Sequence, residues 1–110
     1  MIVGGDYKNE AGAVDNVAVT SDGGATWALV KDKGLSGFRS VVAYLPGKDS
    51  RALVAVGPSG ADLSTDDGRS WRPIEAAPGG GFHTFSIAPS GRVGWGAGEK
   101  GRIARLDGLP

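Results

Sequence analysis

No cysteine occurs among the 110 residues. That absence removes disulfide frameworks, thiolate zinc sites and cysteine nucleophiles together, so stability has to come from packing, although the redox compartment stays open. Long apolar runs are missing too. Stretches free of Gly, Pro and polar residues reach only the length of Val41 to Leu45, far below the roughly 20 apolar residues of a spanning helix, and a membrane span is not expected. No charge dominates: Lys plus Arg and Asp plus Glu are 12 each, and residues 1–55 and 56–110 hold six of either sign. Without a basic patch, nucleic acid and anionic membrane lose their usual warrant as partners. The only histidine is His83, which excludes a multi-histidine metal site; no metal or cofactor is expected. Met1 is followed by Ile-Val-Gly-Gly-Asp, with neither the basic start nor the apolar stretch of a secretory signal, so the chain is expected to be cytoplasmic or to continue upstream. Apolar residues at helical spacing with caps are also missing, and helix content is expected to be near nil.

What the chain has in excess is turn residues. Twenty Gly and six Pro stand among the 110 positions, just short of the share of roughly 25–30% at which disorder becomes the default. A single small folded domain with a thin core is expected. The chain also repeats itself. Thr20-Ser21-Asp22-Gly23-Gly24-Ala25-Thr26-Trp27 recurs 44 residues later as Ser64-Thr65-Asp66-Asp67-Gly68-Arg69-Ser70-Trp71, and Gly37-Phe38-Arg39-Ser40-Val41 returns at the same offset as Gly81-Phe82-His83-Thr84-Phe85. Val56 to Gly60 matches Ala97 to Gly101 at an offset of 41, and Arg105-Leu106-Asp107-Gly108 is a partial third box. Within one period, Phe38 to Tyr44, Arg51 to Val56, Ala61 to Thr65 and Trp71 to Glu75 read as strands separated by Gly, Pro, Ser and Asp turns. Four strands per repeat of 40–45 residues is the pattern of a β-propeller blade. The fold expected is therefore all-β: residues 1–33 an incomplete blade, 34–77 a complete one and 78–110 another incomplete one, ten strands in all.

In each box a short carboxylate stands two residues before a glycine. Asp22 and Asp66 are suited to accept backbone N–H groups across a reversal, Gly24 and Gly68 to supply positive φ, and Thr26 or Ser70 to close the loop with a hydroxyl, with Thr20 and Ser64 opening it. Trp27 and Trp71 are then expected to bury their rings against a neighbouring blade. This Ser/Thr-x-Asp-x-Gly-x-Ser/Thr-Trp pattern resembles the Asp-box, or BNR repeat, of sialidase-like β-propellers. Gly4-Gly5-Asp6-Tyr7, Gly81-Phe82-His83 and Gly98-Glu99-Lys100-Gly101-Arg102-Ile103-Ala104-Arg105 look like the C-terminal blades of bacterial propellers related to the photosystem II stability and assembly factor family. That resemblance implies a propeller of about seven blades of which this chain is a part, a periplasmic or secreted location, and a non-catalytic scaffold that binds a protein or a glycan-like ligand or assists assembly. The alternative it leaves open is a fragment of a sialidase-like glycoside hydrolase. Such a hydrolase needs an arginine cluster, a tyrosine with a glutamate and an acid/base aspartate, a set not assembled from these residues.

The binding candidates lie where blade connections would form a rim. Arg39 and His83 hold equivalent positions at the starts of innermost strands, pointing either at a central funnel or simply at solvent. Tyr7 and Lys8 belong to an insertion, residues 7–16, in a connection that takes four residues at Gly57–Gly60 and at Gly98–Gly101, and Glu99 and Lys100 sit in the last of these. An inserted surface loop is either a binding element or a tolerated extension. Gly96-Ala97-Gly98-Glu99-Lys100-Gly101 matches the dinucleotide string Gly-x-Gly-x-x-Gly but lacks the helix that must follow it. Asp66-Asp67-Gly68 lacks the ligand spacing of a calcium loop. The flanks of the outer blades, left uncovered, are expected to bind further blades of a longer chain or to self-associate.

Overall fold

The computed structural model describes residues 1–47, 50–74, 81–90 and 93–107. Among these the chain is all-β, with ten short strands in three antiparallel sheets and one single-turn 3-10 helix, Glu99–Gly101. The first sheet joins β1 (Ile2–Val3), β2 (Val17–Val19) and β3 (Ala28–Leu29) in sequence order. The second joins β4 (Val41–Tyr44), β5 (Leu53–Gly57), β6 (Gly60–Ser64) and β7 (Arg72–Ile74), again in order. The third joins β8 (Thr84–Ile87), β9 (Val93–Ala97) and β10 (Ile103–Asp107). None of the sheets closes on itself. No helix among the described residues is long and apolar enough to cross a membrane.

Strand ends depart from the expected ones where the backbone has other partners. β4 starts at Val41 rather than at Phe38, because Phe38 N–H is spent on Glu10 O and Arg39 N–H on Gly4 O, at 2.9 Å each. The last strand of the middle sheet is described over Arg72–Ile74, and Glu75, its expected end, like the boundary between residues 77 and 78 and Gly108 of the partial third box, lies outside the described residues.

The middle sheet explains the core. Side chains alternate between the faces of a strand, and both faces of β5 and β6 are covered. Leu53 and Ala55 join Val42 and Trp71 on the face toward the first sheet, where Val17, Met1, Val3 and Val30 pack with Leu35. Val54, Val56, Ala61 and Leu63 face the other way, against Phe82, Phe85, Ile87 and Ala104 of the third segment. The third sheet makes room for its own rings: a Cβ on Gly94 would stand 2.5 Å from the Phe85 ring, and one on Gly96 2.9 Å from that of Phe82. This three-layer order is why a strand as apolar as Leu53–Gly57 is buried along its whole length. The outer sheets have one covered face each. Ile2, paired with Ala18, which pairs in turn with Leu29, shows its side chain on the free face of the first sheet, Ile2 being 56% and Leu29 46% exposed. On the free face of the third sheet Trp95 is 51% and Ile103 70% exposed.

Candidate functional site

The two turn boxes close in the same way. Thr20 Oγ1 donates to Asp22 Oδ1 at 2.8 Å and accepts the Gly24 N–H at 3.0 Å, while the Thr26 N–H reaches Asp22 Oδ1 at 2.9 Å and the Thr26 hydroxyl reaches Oδ2. Forty-four residues on, Ser64 Oγ donates to Asp66 Oδ1 at 2.8 Å and accepts the Gly68 N–H at 2.9 Å, and Ser70 gives its N–H and its hydroxyl to the two Asp66 oxygens at 2.8 and 2.5 Å. Gly24 and Gly68 stand at φ of 94° and 84°, where a side chain would be strained. Each indole N–H folds back onto its own turn, Trp27 onto Gly24 O and Trp71 onto Gly68 O. Asp22 and Asp66, with the hydroxyls of Thr20, Thr26, Ser64 and Ser70, are thus committed inside their own turns, while Asp67 turns outward to Arg51 and Tyr44.

The tryptophans differ. Trp71 is only 5% exposed beneath the first sheet, whereas Trp27, expected to be buried likewise, is 45% exposed. The difference follows from layer order, since Trp71 has a preceding sheet to cover it and Trp27 has none.

Hydrogen bonds set the acidity of both box carboxyls. The Ser70 hydroxyl first, and then backbone N–H groups and Ser64, bring Asp66 down from 3.8 to about 2, and the Thr26 hydroxyl and N–H do the same for Asp22. A folded-state value below the unfolded one stabilises the fold above the unfolded pKa and loses that contribution as pH falls through the folded one. The melting temperature is therefore expected to hold to about pH 4.5 and to drop between about pH 4 and 2, with a shallower drop in Asp66→Asn. An acid limb unchanged by Asp66→Asn would contradict this. Asp66→Ala, which strips the buried Ser64 and partly buried Ser70 donors of their acceptor, is expected to cost about 1–2 kcal/mol in urea unfolding.

The opposite end of the sheets is where β1 connects to β2, β5 to β6 and β9 to β10, and there the three connections meet. The insertion folds against the β5–β6 turn: Glu10 O accepts the Ser59 hydroxyl at 2.8 Å as well as the Phe38 N–H. The third segment docks on the same turn through Gly81 N–H to Pro58 O at 3.2 Å and Phe82 N–H to Gly57 O at 3.1 Å. Between them lies an open cleft of about 380 Å³ lined by Glu10, Pro58, Gly81, His83, Glu99, Lys100 and Arg102. His83 Nε2 stands 3.6 Å from Glu99 Oε1, with both side chains largely in solvent. Lys100, held at a φ of 60°, makes no hydrogen bond or ion pair among the described residues, and the Arg102 guanidinium lies 5.0 Å from the Phe82 ring centre. The cleft therefore offers acceptors and cations side by side in a water-accessible setting.

A second hollow of about 370 Å³ lies at the box end, between the first two sheets. Most of its polar groups are already engaged: Thr20 and Thr26 with Asp22, and Asp67 with Arg51 at 2.8 Å, with the Tyr44 hydroxyl at 3.3 Å and with Arg69 at 4.0 Å. The turn-end cleft is the stronger candidate on that ground.

Of the rim residues expected from the sequence, His83, Glu99 and Lys100 line this cleft. Arg39 does not. It is 2% exposed and its Nε donates to Asp62 Oδ2, itself fully buried, at 2.8 Å. Its Nη1 meets Phe38 O and Ser59 Oγ at 2.9 Å, and its Nη2 meets Ser36 Oγ at 2.7 Å. A guanidinium so occupied braces the interior beneath the rim and is not available to a ligand. Tyr7, 67% exposed, and Lys8, whose ammonium lies 5.9 Å from the Tyr7 ring centre, stay outside the cleft on the far part of the insertion. Glu10, from the same insertion, takes part instead, with Pro58, Gly81 and Arg102. Asp62 was legible as an acid within the apolar strand Gly60–Ser64, where burial demands a cation.

Comparisons with protein-family models, with curated proteins and with solved structures found no match to this chain.

Proposed function

We propose that the chain is a sector of an Asp-box β-propeller that serves as a non-catalytic binding scaffold, with the turn-end cleft as its ligand surface. The observation that carries this reading is the convergence of three separate connections on one open cleft, while at the other end Asp22 and Asp66 and their hydroxyl partners are spent inside their own turns. Loops held by a rigid sheet stack are where binding groups accumulate. The mixed set of His83, Glu99, Lys100 and Glu10 suits a ligand rich in both donors and acceptors, either a polar peptide segment of a protein partner or a glycan. A phage-displayed peptide library and a glycan array supply the probes. Hits are expected to weaken at least about tenfold, about 1.4 kcal/mol, in His83→Ala and in Lys100→Glu, and to be indifferent to Lys8→Ala. Hits that ignore both cleft variants would place the binding surface elsewhere.

A further inference from the structure

The repeat assigns a partner to the two uncovered faces. The middle sheet defines two kinds of face: one, carrying Val54, Val56, Ala61 and Leu63, receives the following sheet, and the other, carrying Leu53, Ala55 and Val42, receives the preceding one. By the 41-residue offset Trp95 and Ala97 stand where Val54 and Val56 do. Cross-strand pairing puts Ile103 beside Ala97 on that same face. The free face of the third sheet is thus of the receiving kind. By the 44-residue offset Ala18 stands where Asp62 does, on the face toward a preceding sheet, and Ile2 and Leu29 pair with it on either side. The free face of the first sheet is therefore of the complementary kind. It also holds an open hollow of about 250 Å³ lined in part by Ile2, Ala18 and Leu29.

We infer that these faces bind each other between two copies of this chain, the Trp95 face of one against the Leu29 face of its partner, head to tail. The contact continues the stacking already made twice within the chain, with Trp95 as the aromatic anchor and the hollow beside Leu29 as its receptor. Contacts of this heterologous kind close into a ring when the rotation between copies returns on itself, and two copies supply six sheets, a number within the range of about four to eight in closed rings of blades. Exposed apolar residues on both flanks, Ile2 and Leu29 on one and Trp95 and Ile103 on the other, are covered by the same event.

Sedimentation velocity of the full 110-residue chain at tens of micromolar tests this, with Leu29→Glu and Trp95→Glu as single variants. Wild type is expected at twice the 11.1 kDa chain mass, and each variant at the chain mass with its association weakened at least tenfold. An equimolar mixture of the two variants is expected to recover a one-to-one complex, because each brings the intact face the other lacks. A monomeric wild type, a Leu29→Glu chain that still pairs with itself, or a mixture that stays monomeric would overturn the inference. Ile2→Glu and Ile103→Glu replace either variant whose far-UV spectrum departs from wild type, and the same outcomes then apply.

Discussion

Asp62→Ala is expected to remove about 3–5 kcal/mol, a large part of the stability of a domain this small. The Asp62 carboxylate is fully buried and takes the Arg39 Nε at 2.8 Å together with the N–H and hydroxyl of Ser36 at 3.1 and 2.7 Å. Its removal leaves a guanidinium that is 2% exposed without its counter-charge, held only by Phe38 O and the Ser59 and Ser36 hydroxyls. The damage spreads, because Arg39 also holds Ser59, which in turn holds Glu10 O at 2.8 Å, so the floor of the cleft loosens with it. The surface pair Arg51–Asp67 is the natural control: its side chains are 60% and 35% exposed, and Arg51→Ala is expected to cost about 0.5 kcal/mol. Urea unfolding of both variants decides the matter, and equal losses would contradict the buried-brace account.

The second large effect separates two residues that the repeat makes equivalent. Trp71→Ala is expected to cost about 3–5 kcal/mol, since the ring is packed among Val17, Leu35, Leu53 and Ala55 and the void cannot refill. Trp27→Ala is expected to cost about 1 kcal/mol, the figure for an ordinary half-exposed position. Both are measured by denaturant unfolding dilute enough to keep chains apart, because association would cover Trp27 and raise its apparent contribution. A Trp27 loss as large as that of Trp71 in dilute solution would mean that layer order does not govern the burial of these rings.

These two cases also mark how far the amino-acid pattern reached. Strands announced by alternation and bounded by Gly, Pro and Asp were legible, because both signals are local: Leu53–Gly57 and Gly60–Ser64 lie within a residue or two of their expected places. The boxes were legible for the same reason, the bonds that tie each Asp to its flanking hydroxyls and N–H groups spanning four residues or fewer. Burial was not local. Trp27 and Trp71 share a motif and differ only in whether a sheet precedes them, and Arg39 and His83 share a repeat position yet end inside and outside. Asp62 decides the fate of Arg39 from 23 residues away. Among the described residues no buried acid stands with His83, and it remains half-exposed beside Glu99. The cleft was half legible: His83, Glu99 and Lys100 came from repeat position, whereas Glu10 and Pro58 join them only because the insertion folds onto the β5–β6 turn.

The central claim is that the turn end binds and the box end is structural. Amide chemical-shift mapping of the nitrogen-15-labelled chain, titrated with the tightest peptide or glycan recovered from the screens, tests it directly. The account predicts shifts at Glu10, Ser59, Gly81 to His83 and Glu99 to Arg102, with Thr20 to Trp27 and Ser64 to Trp71 unmoved. Shifts concentrated in the two boxes, with the turn end silent, would contradict it.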